Sequence, residues 1–462
     1  MRTNPARRAL ALLAALSLGC SSASEVPDPT IAIVGAGASG LMAAHTLARL
    51  GYTHVTVFEQ NDRVGGKVHS AGGDLPVELG AYYVAPQEVG GVVLALADEL
   101  GVRYVPDSQS KFIVDANGVA RSYEEHLLNT YSPEEIAAAT ENYVKALETF
   151  APARASYANL HPDLTMPFDA FAKKHGFTPI AQLARSWIIG WGYGYYENVP
   201  AAYFMRLIET IVPVEAGSVK QPRYLIFPRP EGFQALWKAV AEPLDVRLSS
   251  EVTHISRSPE PGPGSIVLTI NREQQLRFDR LIISAPLSAV PGFLDVTDEE
   301  RDLFERVQSN RFFVTFFATT GLLSRDAWFH DHNATLDRIN HVGSWGDTGL
   351  RREISPNWAV PVFVAYQIAE WDTTPEAVTE TLRSDVAAAG GLLAEVLLQT
   401  EWSYFPHVSG DDLAEGFYDR VEALQGRLET YYVGSALSFE TVEHTAVYAR
   451  DLILAHFQDR RP

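Results

Sequence analysis

Three glycines at i, i+2 and i+5, in Gly35-Ala-Gly37-Ala38-Ser39-Gly40, together with Glu59 nineteen residues beyond the last of them, have the spacing needed to hold a dinucleotide. Each position has a mechanical reason. Gly35 permits a tight turn, Gly37 lets the backbone approach a pyrophosphate, and Gly40 lets a helix pack closely on a strand. The amide groups of Ala38 and Ser39 then belong to a helix N-terminus, where unpaired N–H groups and the helix dipole favour an anion. Glu59, followed by Gln60, offers a carboxylate to ribose hydroxyls, and a carboxylate there disfavours a 2′-phosphate.

Those residues need particular elements to position them. Thr30 to Val34 is a short apolar, β-branched run, the pattern of a buried parallel strand. Ala38 to Leu50 carries Leu41, Ala44, His45 and Ala48 at helical spacing, and His54 to Glu59 is a second strand. Strand, glycines, helix, strand and acid in this order make a βαβ unit and require a parallel sheet. Further along, Ser132 to Ile211 carries the helix-forming stretch Pro133 to Thr149 and few strand signals. Alternating runs at Val246 to Ser256 and Ser265 to Ile270 flank a Pro- and Gly-rich loop, predicting a hairpin. Arg280 to Ser284 and Leu428 to Val433 read as buried strands, Phe312 to Ala318 and Val360 to Gln367 as strands of a second sheet, and Val442 to Phe457 as a last helix.

A second glycine cluster, Asn61-Asp-Arg-Val-Gly65-Gly66-Lys67, follows Glu59 closely. With it the sequence resembles the flavin-containing amine oxidase and phytoene desaturase superfamily. The resemblance implies FAD as the cofactor, with Gly65, Gly66 and Lys67 as a further pyrophosphate contact. Lys67 stands where Arg is commoner, and would act as a point charge rather than a fork. Three other segments fit the same family. Glu78-Leu-Gly80-Ala81 resembles the stretch beside the isoalloxazine, Ser250-Glu-Val252 the strand that clasps adenine, and Asp279 to Pro286 the strand that closes the FAD domain. Tyr432-Val-Gly434-Ser435 and the helix start at Val442 resemble the segment that gives backbone N–H groups to the flavin. It departs from the family in having Ser435 where an acid is usual and in lacking a Glu-Gly-Ala before the last helix.

The resemblance implies an α/β fold: a Rossmann-like FAD-binding domain (30–82, 223–290 and 425–459), a mixed-sheet substrate domain (83–131 and 291–424) and a helical insertion (132–222). No second strand-linked GxGxxG occurs, so the flavin itself is the expected hydride carrier. The strings Gly65 to Ser70, Asp163 to Asp169, Gly192 to Tyr203 and Tyr404 to Ser409 resemble polyenoic fatty acid isomerases, and similar tails occur in β-cyclopiazonate dehydrogenase-like flavoenzymes. That implies redox-neutral movement of a double bond in an apolar substrate, in a dry site lined by aromatic rings. Trp187, Trp191, Tyr193, Tyr195 and Tyr196 form a dense aromatic band, and Tyr404 and Phe405 are candidates for the flavin's substrate face; for each, packing in a core is the alternative. Lys111 falls near the family position that receives a fatty acid carboxylate, with Arg223 as a competitor. An amine or prenylated-metabolite oxidase or dehydrogenase, and a flavin-binding lipoprotein without activity, are the other readings.

Composition narrows the classes. The chain of 462 residues is long enough for two or three packed domains, and its 46% hydrophobic content is that of a globular protein. A net charge of −20 disfavours nucleic acid and anionic lipid surfaces as partners. Arg2, Arg7 and Arg8 precede an apolar run from Ala9 to Leu18, a signal peptide pattern too short to span a bilayer. Leu16 to Cys20 resembles a lipobox, so export to the cell envelope with a lipid on Cys20 is expected, an ordinary signal peptide being the alternative. Residues 21–29 read as a linker. Cys20 is the only cysteine, which excludes an internal disulfide and a thiol-tethered flavin. His330-Asp-His332 lacks a third ligand at metal spacing, and neither HExxH nor GxSxG occurs, so no metal is expected.

Overall fold

The computed structural model describes residues 28–460, apart from 74, 86–90, 153–155, 261, 323–325 and 357. The leader, the lipobox and all but the end of the linker lie outside the described residues. No described helix is long and apolar enough to cross a membrane.

Five parallel strands form the first sheet, in the order Asp245–Arg247, Val55–Phe58, Ile31–Val34, Arg280–Ile283, Thr430–Tyr432. Its central strand Ile31–Val34 is buried throughout, which explains the unbroken apolar run. Helices Ala38–Arg49, Gln234–Ala241 and Val442–His456 pack together against this sheet around Ile31, Ile33, Leu41, Leu47, Trp237 and Ile453. The strand read as Val246 to Ser256 is two strands. Its first part is the edge of the parallel sheet, whereas Val252–Arg257 pairs antiparallel with Ile266–Ile270, which in turn pairs with Gln274–Phe278. The chain turns between them at Ser249 (φ +49°), and Ser250 N donates to Glu59 O (2.8 Å). Alternation of side chains continues across such a turn, so periodicity alone does not reveal it.

A seven-stranded mixed sheet has the order Leu392–His407, Gln308–Thr320, Trp358–Ala369, Val342–Ser355, Ala327–His330, Lys111–Val114, Ala120–Arg121. All its pairs are antiparallel except the one between Ala327–His330 and Lys111–Val114. The long strand Leu392–His407 has no simple burial alternation, and irregularities interrupt its register with Gln308–Thr320. Helices Pro133–Thr149, Thr178–Gly190 and Ala201–Ile211 lie between these layers in sequence; Pro133–Thr149 is closed at its start by a capping box between Ser132 and Glu135. Thr178–Gly190 packs on the large sheet, where a Cβ on Gly190 would come within 2.9 Å of Ser344 and Phe329 side chains. The aromatic band that follows that helix is therefore held at the sheet's face.

Candidate active site

A single cavity of about 990 Å³ runs from the glycine-rich turn to the face of the large sheet. Its two ends are built differently.

At the first end the wall is mostly backbone. Gly35, Gly37, Ala38, Ser39, Glu59, Gln60, Gly65, Gly66, Val252, Gly434, Ser435 and Val442 all line it. Helix Ala38–Arg49 starts at Gly37 with no side-chain cap and no acid in its first turn, so its leading N–H groups are left for a ligand. Gly40 lies behind this surface, where a Cβ would stand 2.0 Å from Gly35 O. Gly65 pairs with Gly37 as an isolated bridge, and Gly65 N donates to Ala36 O (2.8 Å). A Cβ on Gly66 would sit 3.1 Å from the Gly37 Cα, so the two glycine clusters meet back to back. Gly80 in turn presses on Lys67 O, 1.9 Å from where its Cβ would be, and Ala81 N donates to that oxygen (3.0 Å). Backbone closeness thus joins three segments far apart in sequence.

Glu59 is buried and held from two sides. Ala36 N donates to Oε2 (2.8 Å), and Asn61 donates to Oε1 from both N (2.9 Å) and Nδ2 (2.5 Å), which leaves a lone pair on Oε2 for a ribose hydroxyl. Ser39 Oγ meets Ser284 Oγ at 2.8 Å, tying the helix start to the end of strand Arg280–Ile283. These features fit FAD: an uncapped helix start for its pyrophosphate, Glu59 for its ribose, and Gly434, Ser435 and the start of Val442–His456 for the flavin end.

Lys67 departs from the expectation of a free point charge. Its Nζ is bound to both oxygens of Glu440 at 2.9 Å, and Glu440 also accepts from Phe405 N (3.0 Å). Arg63, which sequence reasoning did not single out, lines the same end and donates to Gly66 O (2.9 Å). Ser284, inside the segment Asp279 to Pro286, and Glu440, just before the helix start at Val442, were not singled out from sequence either.

At the second end the wall is side chains, chiefly aromatic. Tyr83 lies 4.6 Å from Tyr82, 4.8 Å from Tyr224 and 5.8 Å from Trp191, centre to centre. Across the cavity Tyr404 lies 5.1 Å from Phe312 and 5.7 Å from Tyr193, and Phe312 stacks on Tyr366. Burial pushes the Tyr82, Tyr83, Tyr366 and Tyr404 hydroxyls above their ordinary range, so they stay neutral. Of the aromatics picked from sequence, Trp191, Tyr193 and Tyr404 line the cavity, whereas Tyr195 is not in the wall and packs behind it against Val77, Leu79 and Phe312. Phe405 is buried against Phe204, Tyr193 and Phe439; its φ of +52° takes the backbone out of the extended conformation at that point, and its ring packs inward where Tyr404 meets the cavity. Trp187 and Tyr196 are core residues too. Sequence reasoning missed Tyr82, Tyr83, Tyr224, Phe312 and Tyr366; Tyr82 and Tyr83, adjoining Gly80-Ala81, were the ones within reach.

Lys111 is not part of the wall. Its ammonium is buried, pairs with Asp107, donates to Gln109 O (3.0 Å) and lies 5.4 and 5.6 Å from the ring centres of Tyr83 and Tyr224. A substrate carboxylate would have to displace Asp107 from a desolvated pair. Arg223 is exposed, bound to Glu215 (2.6 Å), and also away from the cavity. Glu78 does line the cavity. It accepts from Ser70 Oγ (2.7 Å) and Phe233 N (2.9 Å), yet burial raises its carboxyl to about 7. Among the described residues no group of three or more His, Cys, Asp or Glu could hold a metal.

Residues 38–403 match the flavin-containing amine oxidoreductases, and the chain belongs to that family. It is an FAD-dependent enzyme with an α/β fold. It is 24% identical to the FAD-dependent oxidoreductase dpasF of Apiospora sacchari over 92% of both chains, and 23% identical to the polyenoic fatty acid isomerase of Ptilota filicina, over 95% of this chain and 97% of the other. Among solved structures, the CLA-producing fatty acid isomerase from P. acnes matches with a TM-score of 0.79 at 23% identity, covering 93% of this chain and 99% of that one. Putrescine oxidase bound to putrescine matches with 0.64 at 17%, covering 92% and 99%. At these identities the structures attest the fold alone.

Proposed function

We propose that this flavoenzyme is a redox-neutral isomerase that shifts a double bond in a polyunsaturated fatty acid. The observation that carries the reading is the makeup of the cavity's second end: aromatic rings, neutral tyrosine hydroxyls and a carboxyl raised to about 7 by burial. Bound FAD supplies the acceptor and donor of the hydride. The chain's own residues bind the hydrocarbon, exclude water and present ring faces that stabilise a delocalised carbocation once hydride has left the methylene between two double bonds. Such chemistry needs no strong base. The full-length similarity to a polyenoic fatty acid isomerase supports the same reading.

Oxidation of an amine is the second reading, favoured by the family and by the fold shared with putrescine oxidase. It would be served by a carboxylate near the amine, and Glu78, the acid at this end of the wall, is held largely protonated below pH 7. Anaerobic incubation with linoleate and no added acceptor separates the two. Isomerisation gives a conjugated product over many turnovers with yellow enzyme at the end. Stoichiometric bleaching without further product contradicts it. Export with a lipid on Cys20 is proposed from the leader pattern, and fatty acid labelling that is lost in Cys20→Ala tests it.

A further inference from the structure

A long-chain acid in an apolar cavity leaves one problem, namely where its negative charge rests. The two cations favoured by sequence do not serve: Lys111 is bound to Asp107 and outside the wall, and Arg223 is bound to Glu215 on the surface. Lys67, at the flavin end, is neutralised by Glu440. Beyond it, among the described residues that line the substrate half, Arg229 is the only Lys or Arg.

Arg229 is exposed, and with Pro228, Gln109 and Thr348 it lines the cavity where this reaches the surface. It forms no ion pair with a described residue. Its Nη2 donates to Thr348 O (2.8 Å), which fixes the planar head while leaving most of its five N–H donors uncommitted. Its charge is felt inside: it favours the ionised forms of both Glu78 and Tyr82, which line the apolar interior. A cation at the mouth and rings within match an amphiphile whose head stays near water and whose tail goes inward.

We propose that Arg229 anchors the carboxylate of a long-chain acid at the cavity mouth, so that the site selects free acids over neutral chains of equal length. The assignment rests on the fatty acid reading but is tested apart from turnover. Dodecanoate and dodecanol share a chain and offer no methylene between double bonds, so their binding to FAD-loaded enzyme can be measured by calorimetry without reaction. Wild type should bind dodecanoate about tenfold or more tighter than dodecanol. Arg229→Gln should abolish that preference by weakening dodecanoate alone, and Arg229→Lys should restore part of it, since a point charge lacks the fork. Because Arg229 is exposed, flavin content and melting temperature should stay at wild-type values. Equal binding of acid and alcohol by wild type, no binding of dodecanoate, or equal weakening of both ligands in Arg229→Gln would overturn the anchor. Selective dodecanoate binding lost in Arg229→Gln, with no isomerisation of linoleate, would instead keep the anchor and remove the isomerase.

Discussion

The two ends of the cavity hold their ligands by different means, and that difference governs what each tolerates. The cofactor end is shaped by the absence of side chains: Gly40, Gly66 and Gly80 are positions where one added carbon would meet backbone at 2.0, 3.1 and 1.9 Å. The substrate end is shaped by large side chains contributed by at least six separate segments, from Tyr82 to Tyr404. Backbone contacts have one solution and fail abruptly. Ring walls have many near-solutions, so the same fold can admit different apolar molecules while keeping one cofactor.

The largest break should come at the cofactor end. Gly40→Ala puts its Cβ onto Gly35 O and should separate helix from strand, giving aggregated or flavin-free protein; soluble yellow enzyme would show that the helix start can shift. Gly37→Val sharpens the point, because a Cβ at Gly37 meets nothing closer than 4.0 Å and intrudes only on the ligand's space. A folded apoprotein with near-native circular dichroism and no bound FAD is expected, whereas normal yellow occupancy would contradict the placement.

A change at the substrate end should leave the cofactor alone. Tyr83→Ala removes a ring that contacts Tyr82, Trp191 and Tyr224, and kcat/KM should fall by about ten- to a hundredfold while FAD content stays stoichiometric. Parallel loss of flavin would mean that the two ends are not separable.

The smallest effect is expected at Glu78, the acid of the substrate end. Its carboxyl is raised from 4.5 to about 7, so the folded state binds this proton more tightly than the unfolded chain. Stability is therefore lost as pH rises from about 4.5 through 7, and Glu78→Gln, which cannot ionise, is spared that loss. Its melting temperature relative to wild type should rise between pH 5 and pH 8, by the equivalent of about 2 kcal/mol. A difference independent of pH would show that Glu78 is ionised throughout.

The same contrast explains what could be read from the chain alone. Contacts made by backbone require glycines at fixed spacing, so Gly35, Gly37, Gly40, Gly65 and Gly66 announce themselves, and Glu59 follows from register. Wall aromatics carry no such signature, since Tyr193 at the cavity and Tyr195 in the core sit two residues apart in one band. Cations are misread for a related reason: a lysine's partner is set by tertiary folding, and nothing in the sequence around Lys111 says that Asp107 has already claimed it. Strand boundaries failed where the chain passes from one sheet to another without changing its pattern, at Leu248 to Glu251.

The central claim is that hydride leaves and re-enters the same substrate inside a water-excluding aromatic chamber. It is tested most directly with linoleate carrying deuterium only at the methylene between its double bonds, turned over without oxygen in ordinary water and followed by mass spectrometry. The account predicts a conjugated product in which the deuterium removed from that methylene as deuteride reappears on another carbon. A product that carries solvent hydrogen at that carbon, or an oxidised product in its place, would contradict it.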